Sequence, residues 1–221
     1  LVHHNGPIAM NAKNILILFL IMAADTQLLA QGNFSRESAA PGNLRFTWIH
    51  GSISAKANTD VRIQVHRYNE HTYILRQNPA IHWEAPFMYL LMGNQQALLL
   101  DAGATEEEEF FPLSGVIDGV LQSWAHAHRV EIPDLIVMPL GSDQSQTAAL
   151  DQFAERPETS VFAPGSEARA NVIADQQLDL GGRVLSVLPT PGLNDSAITI
   201  YDPWSDLLLT GNTFYPGRLV I

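Results

Sequence analysis

The sequence predicts a mixed α/β domain in which strands and hairpins occur on both sides of helices along the chain. Three observations lead to this prediction. Residues 61–68 alternate apolar and polar side chains, as a half-buried strand does, and residues 110–129 place apolar side chains close to helical spacing. Residues 135–138 form a short apolar run, which is typical of a buried strand. A chain of 221 residues can bury one sizeable core, so we expect one main domain.

The remaining elements follow in order. Residues 31–60 are rich in Ser, Asn, Ala and Gly, which indicates a linker or N-terminal extension with at most one short strand, at 44–49. A hairpin is predicted at 87–92 and 96–101, with Gly93 and Asn94 as a two-residue turn that needs positive φ. The other predicted elements are a strand at 72–75, helices at 145–153 and 166–174, strands at 160–163 and 184–188, and a hairpin at 197–202 and 207–210.

Residues 10–30 have the layout of a secretory signal peptide. Lys13 precedes a ten-residue apolar run at 15–24, and Ala30 suits a cleavage point. This run is shorter than the roughly 20 apolar residues that span a bilayer. We therefore expect a secreted or periplasmic protein with no membrane span in the mature chain. The chain divides into upstream residues and signal peptide at 1–30, the linker at 31–60, and a domain at 61–221.

Charge and composition exclude several function classes. The net charge is −11, and no basic stripe offsets it, which argues against nucleic acid and anionic membrane surfaces as partners. The absence of cysteine removes disulfides, thiolate metal sites and cysteine nucleophiles. The partner we expect is a small molecule or a protein.

Five strings occur in one order between residues 89 and 218. They are YLLMG leading to LLLDAG at 89–103, the apolar run at 135–138, DQFAERP at 151–157, PTPG at 189–192, and LLTGNTFYPGR at 208–218. In this order the chain resembles the metallo-β-lactamase fold superfamily of metallo-hydrolases, and in particular its glyoxalase II-like bacterial branch. The resemblance implies an αββα sandwich with mixed sheets. Because the sequence stops inside an apparent strand at 219–221, we expect the domain to be incomplete at its C-terminus.

The resemblance also implies where metal ligands would stand. The superfamily binds one or two metal ions, usually zinc, through a His-x-His-x-Asp-His loop, a later His after a Pro-Gly turn and an Asp in the Gly-Asp-Thr hairpin. Matched from the apolar strand, the loop positions are Leu140, Ser142, Gln144 and Ser145. Matched back from 152–153, they are Gly141, Asp143, Ser145 and Gln146. The later His is replaced by Leu193, and the hairpin Asp by Asn212.

All eight histidines lie at or before His128, so no imidazole occupies these positions. Neutral Ser, Gln and Asn oxygens are poor zinc ligands, and Leu is none. We therefore predict that the metal site and the hydrolase activity have been lost and that no cofactor is bound. The former cleft could bind a small molecule or a protein. Its predicted lining is Asp101, Asp143, Asn194, Asp195 and Asn212.

Several alternatives stay open at this point. Asp101 matches the family's Asp beneath the metal loop and could cap the backbone at 141–143, or it could stabilise its own turn. His126 and His128 are interpreted as cations at a helix end, while His66, His71 and His82 could meet only if their strands pair. The alternative function is a metal-dependent hydrolase of ester, thioester or lactam-type bonds. Its zinc would need non-standard ligands, such as Asp143 with N-terminal histidines.

Overall fold

The computed structural model describes residues 32–35, 37–52, 55–192 and 195–214. The predicted signal peptide, Leu193, Asn194 and the strand at 219–221 lie outside the described residues. The strands are β1 Ile63–Asn69, β2 Thr72–Gln77, β3 Phe87–Met92, β4 Gln96–Leu100, β5 Asp134–Met138, β6 Thr159–Val161, β7 Gln177–Asp179, β8 Val184–Pro189, β9 Ile198–Asp202 and β10 Leu207–Leu209. The helices are α1 Leu113–His128, α2 Gln144–Thr147 and α3 Glu167–Asp175, with 3-10 turns at Ala55–Ala57 and Leu150–Phe153.

The strands form two sheets. The first has the order β1-β2-β3-β4-β5-β6, in which β1 to β4 are antiparallel neighbours and β4, β5 and β6 run parallel. The second is an antiparallel sheet with the order β10-β9-β8-β7. A mixed sheet that faces a second sheet, with helices packed against them, is the mixed α/β sandwich that the sequence predicts, and the fold class is confirmed.

The side chains of strand β4 alternate between the two halves of the core. Successive side chains of a strand point to opposite faces. Ala97 and Leu99 are buried in the cluster that includes α1, while Leu98 and Leu100 are buried between the two sheets. The strand is therefore apolar on both faces, which explains its continuous hydrophobic sequence.

Helix α1 covers the first of these two faces. Its residues Leu113, Ile117, Leu121 and Trp124 are buried, at spacings of four, four and three, so they form one apolar stripe. The helix ends at His128 because Arg129 takes the left-handed conformation, with φ of 58°.

The predicted hairpin turn at Gly93 and Asn94 is wrong in its details. The loop between β3 and β4 has three residues, 93–95, and neither Gly93 nor Asn94 has a positive φ. Glycine is required for another reason. A Cβ at position 93 would lie 2.1 Å from the carbonyl oxygen of Leu180, because the loop packs directly on the turn between β7 and β8.

The one short strand that the sequence allowed at 44–49 does not form, since these residues join no sheet ladder. Side chains of β1 and β2 form hydrogen bonds with backbone groups of this segment instead. Ile49 N–H donates to Gln64 Oε1 at 2.9 Å, and Arg76 Nη1 donates to the Ile49 carbonyl at 2.9 Å. Strand β7 was not predicted, because three residues are too few to show a period.

Residues 32–35 and 37–43 are fixed to both sheets. Gly32 exchanges two hydrogen bonds with the side chain of Asn94, at 2.8 and 3.2 Å. Phe34 is buried edge-on against Trp204, and Ala40 N–H donates to the Trp204 carbonyl at 2.7 Å. The division of the chain at residue 60 stays a prediction. Among the helices that the structure describes, none has the length and apolar character needed to cross a bilayer.

Candidate functional site

The loop at 139–146 begins where β5 ends, beside the end of β4. Because β4 and β5 are parallel, their carboxyl ends meet at one edge of the sheet, and Asp101 follows β4 at that edge. Residue Asn212, after β10, approaches from the second sheet. The structure thus brings together most of the positions at which the resemblance implies metal ligands.

Asp101 holds the start of this loop. Its Oδ1 accepts hydrogen bonds from Leu140 N–H at 2.7 Å and from Gln146 Nε2 at 3.2 Å. Burial raises the pKa of Asp101 from 3.8 to about 7, although both hydrogen bonds act in the opposite direction. Asp101 also has a φ of 66°, a conformation that costs a non-glycine residue energy.

Arg169 holds the loop from the other side, and it was not among the site residues predicted from the sequence. This buried residue of α3 donates to the carbonyl of Pro139, to that of Leu140 at 3.4 Å and to that of Ser196 at 3.0 Å. Burial lowers the pKa of its guanidinium, and nearby Asp101 raises it. An arginine in a short polar helix carries no sequence signal of burial, so only the tertiary structure could identify it.

The expected ligand positions contact one another. Asn212 Nδ2 donates to Asp143 Oδ2 and to Ser145 Oγ, each at 3.2 Å. Gln146 is buried, with its amide between Asp101 and the backbone of Gly141 and Gly211. Leu140 turns its side chain into the core between the sheets. Ser142 and Gln144 are exposed in the loop, and Asp195 is exposed in a later turn.

These residues do not fit a zinc site of the implied type. A zinc ligand must offer a lone pair, whereas the amide nitrogens of Asn212 and Gln146 present N–H groups to carboxylates. Among the described side chains of the loop at 139–146 and at Asn212, the remaining possible metal ligands are carboxylate oxygens and neutral oxygens. The sequence contains no histidine after His128, so this half of the chain supplies no imidazole. The hydrogen bonds instead close the network without a cation.

An open cleft of about 460 Å³ adjoins the loop at Gln144. Its lining differs from the lining predicted from the sequence. Acidic residues Glu106 and Glu107 stand on one side, and the apolar residues Ile81 and Phe110 contribute as well. The other lining residues are Ala80, His82, Ala104 and Thr105.

A second group of polar residues lies at the opposite edge of the first sheet, beside the start of β4. Glu70 and His71 form the turn between β1 and β2, and His128 ends α1. One ligand atom of each lies within 4.8 Å of the others. His128 Nδ1 contacts the Trp124 carbonyl at 2.8 Å, and its Nε2 lies 3.1 Å from Glu70 Oε1.

His71 is buried among aromatic rings. Trp124 Nε1 donates to its Nδ1 at 3.2 Å, and Phe34 and Trp204 pack against the ring. Burial lowers the pKa of His71 from 6.5 to about 4, so the ring is neutral at pH 7.

The structure separates the histidines that sequence reasoning considered together. His66 stacks on Phe46 with ring centroids 4.1 Å apart, and its Nε2 contacts the Asn43 carbonyl. The Nδ1 of His82 lies 3.8 Å from a carboxylate oxygen of Glu84. His126 is exposed, whereas His128 turns towards Glu70.

No family model matches the chain, and no curated protein matches it. Solved structures of metallo-β-lactamases do match. The enzyme from Pontibacter korlensis is 16% identical, with 64% of this chain and 67% of that chain covered and a TM-score of 0.45. The enzyme from Hirschia baltica is 8% identical, with 67% and 70% covered and a TM-score of 0.45. The DIM-1 metallo-β-lactamase exposed to ceftazidime is 9% identical, with 67% and 68% covered and a TM-score of 0.47.

This chain is similar to them in fold.

Proposed function

We propose that this chain is a binding protein built on a metallo-β-lactamase-like sandwich and that it does not carry out metal-dependent hydrolysis. The observation that supports this most directly is the closed hydrogen-bond network of Asn212, Asp143 and Ser145. Asp101 and Arg169 fix the loop from both sides without a metal ion. A metal at this edge would have to break several of these contacts, and the sequence after His128 offers it no imidazole ligand.

The ligand we propose is a small molecule that binds in the cleft beside Gln144. The volume of this cleft, about 460 Å³, lies within the usual range for small-molecule sites, roughly 300–1,000 Å³. Glu106 and Glu107 favour a cationic group, such as an amine, because none of the described residues that line the cleft is a Lys or Arg that could neutralise them. Ile81 and Phe110 offer contact area to an apolar part of the same molecule.

Metal analysis of the purified full chain tests the loss of the metal site. We expect no tightly bound zinc in the variant His128→Gln, which disables the separate group at the opposite edge of the sheet while leaving the loop at 139–146 intact. About one equivalent or more of zinc retained by this variant after dialysis would contradict the proposal, because that metal would have to be held elsewhere.

The second candidate function is a metal-dependent hydrolase of ester, thioester or lactam-type bonds with non-standard ligands. One observation favours it: His82 lines the same cleft as Gln144, the neighbour of Asp143 in the loop. Hydrolysis that is lost on chelation, restored by zinc and abolished in His82→Gln would establish this function. Inactivity towards all three bond types, with or without zinc, would support the binding protein.

We also propose that the chain is exported, on the strength of Lys13 and the apolar run at 15–24. Expression of the full chain in a bacterium should yield a periplasmic protein. Its N-terminal sequence should begin near residue 31. Recovery of the uncleaved chain in the cytoplasm would contradict export.

A further inference from the structure

We propose that Glu70, His71 and His128 form a binding site for a divalent transition metal ion such as zinc. The site lies at the edge of the first sheet opposite the loop at 139–146, and it is independent of the proposed binding cleft. The turn between β1 and β2 supplies two of its groups, and the end of α1 supplies the third. One ligand atom of each residue lies within 4.8 Å of the others, so small side-chain shifts would bring all three to the distance of about 2 Å at which zinc is bound.

His128 is oriented as metal-binding histidines are. The Trp124 carbonyl only accepts hydrogen bonds, so the contact of 2.8 Å places the hydrogen of the neutral ring on Nδ1. The lone pair is then on Nε2, and this atom lies 3.1 Å from Glu70 Oε1. A histidine that binds zinc through one ring nitrogen commonly donates the N–H of its other ring nitrogen to a backbone carbonyl, as His128 does to Trp124. Two lone pairs at this distance need a cation or a proton beside them.

His71 supplies a second neutral imidazole, but one hydrogen-bond donor competes with the metal for this ring. Trp124 Nε1–H donates to its Nδ1 at 3.2 Å. If the metal takes Nδ1, it displaces this donor. If the metal takes Nε2, the hydrogen of the ring must move to Nδ1, where it would face the indole N–H. In both cases the Trp124 N–H opposes metal binding, so we expect weaker binding than at a structural zinc site with four ligands.

The ligand set selects the kind of ion. Two imidazoles with one carboxylate suit zinc, copper, nickel or iron, whereas magnesium and calcium prefer oxygen ligands. Glu70 is exposed and His128 is partly buried, so the ion would be open to solvent on the side of Glu70. A bound ion would connect the turn at 70–71 to the end of α1 and would stabilise the folded state by mass action.

Zinc titration of the full chain, followed by calorimetry and thermal unfolding, tests the site. We expect saturable binding of one equivalent and a raised Tm, with no such effect from Mg²⁺. His128→Gln and Glu70→Gln should each weaken zinc binding by about tenfold or more. His126→Gln is the matched control, because His126 is exposed two positions earlier in the same helix, and it should leave binding unchanged.

The variant Trp124→Phe separates a zinc site from general loss of structure. It removes the competing N–H while keeping an aromatic ring beside His128, so zinc should bind several-fold more tightly even if the apo protein becomes less stable. Absence of saturable zinc binding, equal loss in His126→Gln, or weaker binding in Trp124→Phe would overturn this inference. Zinc retained by His128→Gln would overturn it as well, and that result alone would also contradict the proposed loss of the metal site at 139–146.

Discussion

Replacing Arg183 with methionine should lower the free energy of unfolding by about 3–5 kcal/mol, the usual cost of leaving a buried charge without its partner. Arg183 and Asp202 are both fully buried, and Arg183 Nη2 lies 2.6 Å from Asp202 Oδ2. Its Nη1 donates to the carbonyls of His71 and Met92, at 2.8 and 3.0 Å, so the same side chain connects the two sheets. The truncation would leave these acceptors and the carboxylate unsatisfied inside the core.

Urea unfolding of matched variants tests this prediction. The control is Arg156→Met, which breaks a pair whose Asp118 side chain is 43% exposed, and we expect it to cost about 1 kcal/mol or less. The double variant Arg183→Met with Asp202→Asn should recover part of the loss, because it removes the unpaired charge. A loss in Arg183→Met no larger than that in Arg156→Met would show that the buried pair is not what stabilises the contact between the sheets.

The second prediction concerns Asp101 and the pH dependence of stability. Burial raises its folded-state pKa from 3.8 to about 7, so between these values the folded state binds more protons than the unfolded state. Its contribution to the free energy of unfolding is therefore largest below about pH 4 and falls as the pH rises towards 7. Asp101→Asn keeps an oxygen for Leu140 N–H but carries no charge, so it should gain stability relative to the wild type over this range, by up to about 4 kcal/mol.

His71 acts in the opposite direction and has to be considered in the same measurement. Its pKa is lowered to about 4, so its contribution is present above pH 6.5 and is lost as the pH falls towards 4. As the pH rises from 4 to 6.5, the contribution of Asp101 to the stability of the wild type falls and that of His71 rises. Asp101→Asn removes the falling contribution, so the stability of this variant should rise with pH over this range. Asp134→Asn, at the exposed start of β5, controls for the removal of one negative charge from an acidic chain. A stability difference between Asp101→Asn and wild type that is the same at pH 4 and pH 8 would refute the prediction.

Local pattern was sufficient for most of the fold. The alternation at β1, the apolar stripe of α1 and the two-sided apolar run of β4 each show which faces of the element must be buried. The spacing of apolar residues that shows this is visible in the sequence alone. The pattern did not decide the structure at 44–49, where side chains of Gln64 and Arg76 replace a ladder. It also misread Gly93, whose role depends on Leu180 in the turn between β7 and β8.

The site was less accessible to sequence reasoning than the fold. The motif order identified the loop at 139–146 and Asn212, and the structure brings Asp143 and Ser145 to that residue. Arg169 was missed because its burial arises from the packing of α3 over the loop. The group of Glu70, His71 and His128 was missed because its members come from a turn and from a helix end, and their proximity depends on how α1 packs on the sheet.

The connection between Arg183 and the β1–β2 turn has a consequence for the order in which the chain folds. Arg183 binds the carbonyl of His71, 112 positions earlier in the sequence, and Phe34 near the start packs on Trp204 near the end of the described chain. Contacts between such distant positions close long loops and form late. The earliest described residues to be synthesised must therefore wait for nearly the last ones before they can dock. During that interval the surfaces of Phe34 and Trp204 stay open to solvent, and we expect the docking of residues 32–40 to be among the slowest steps of folding.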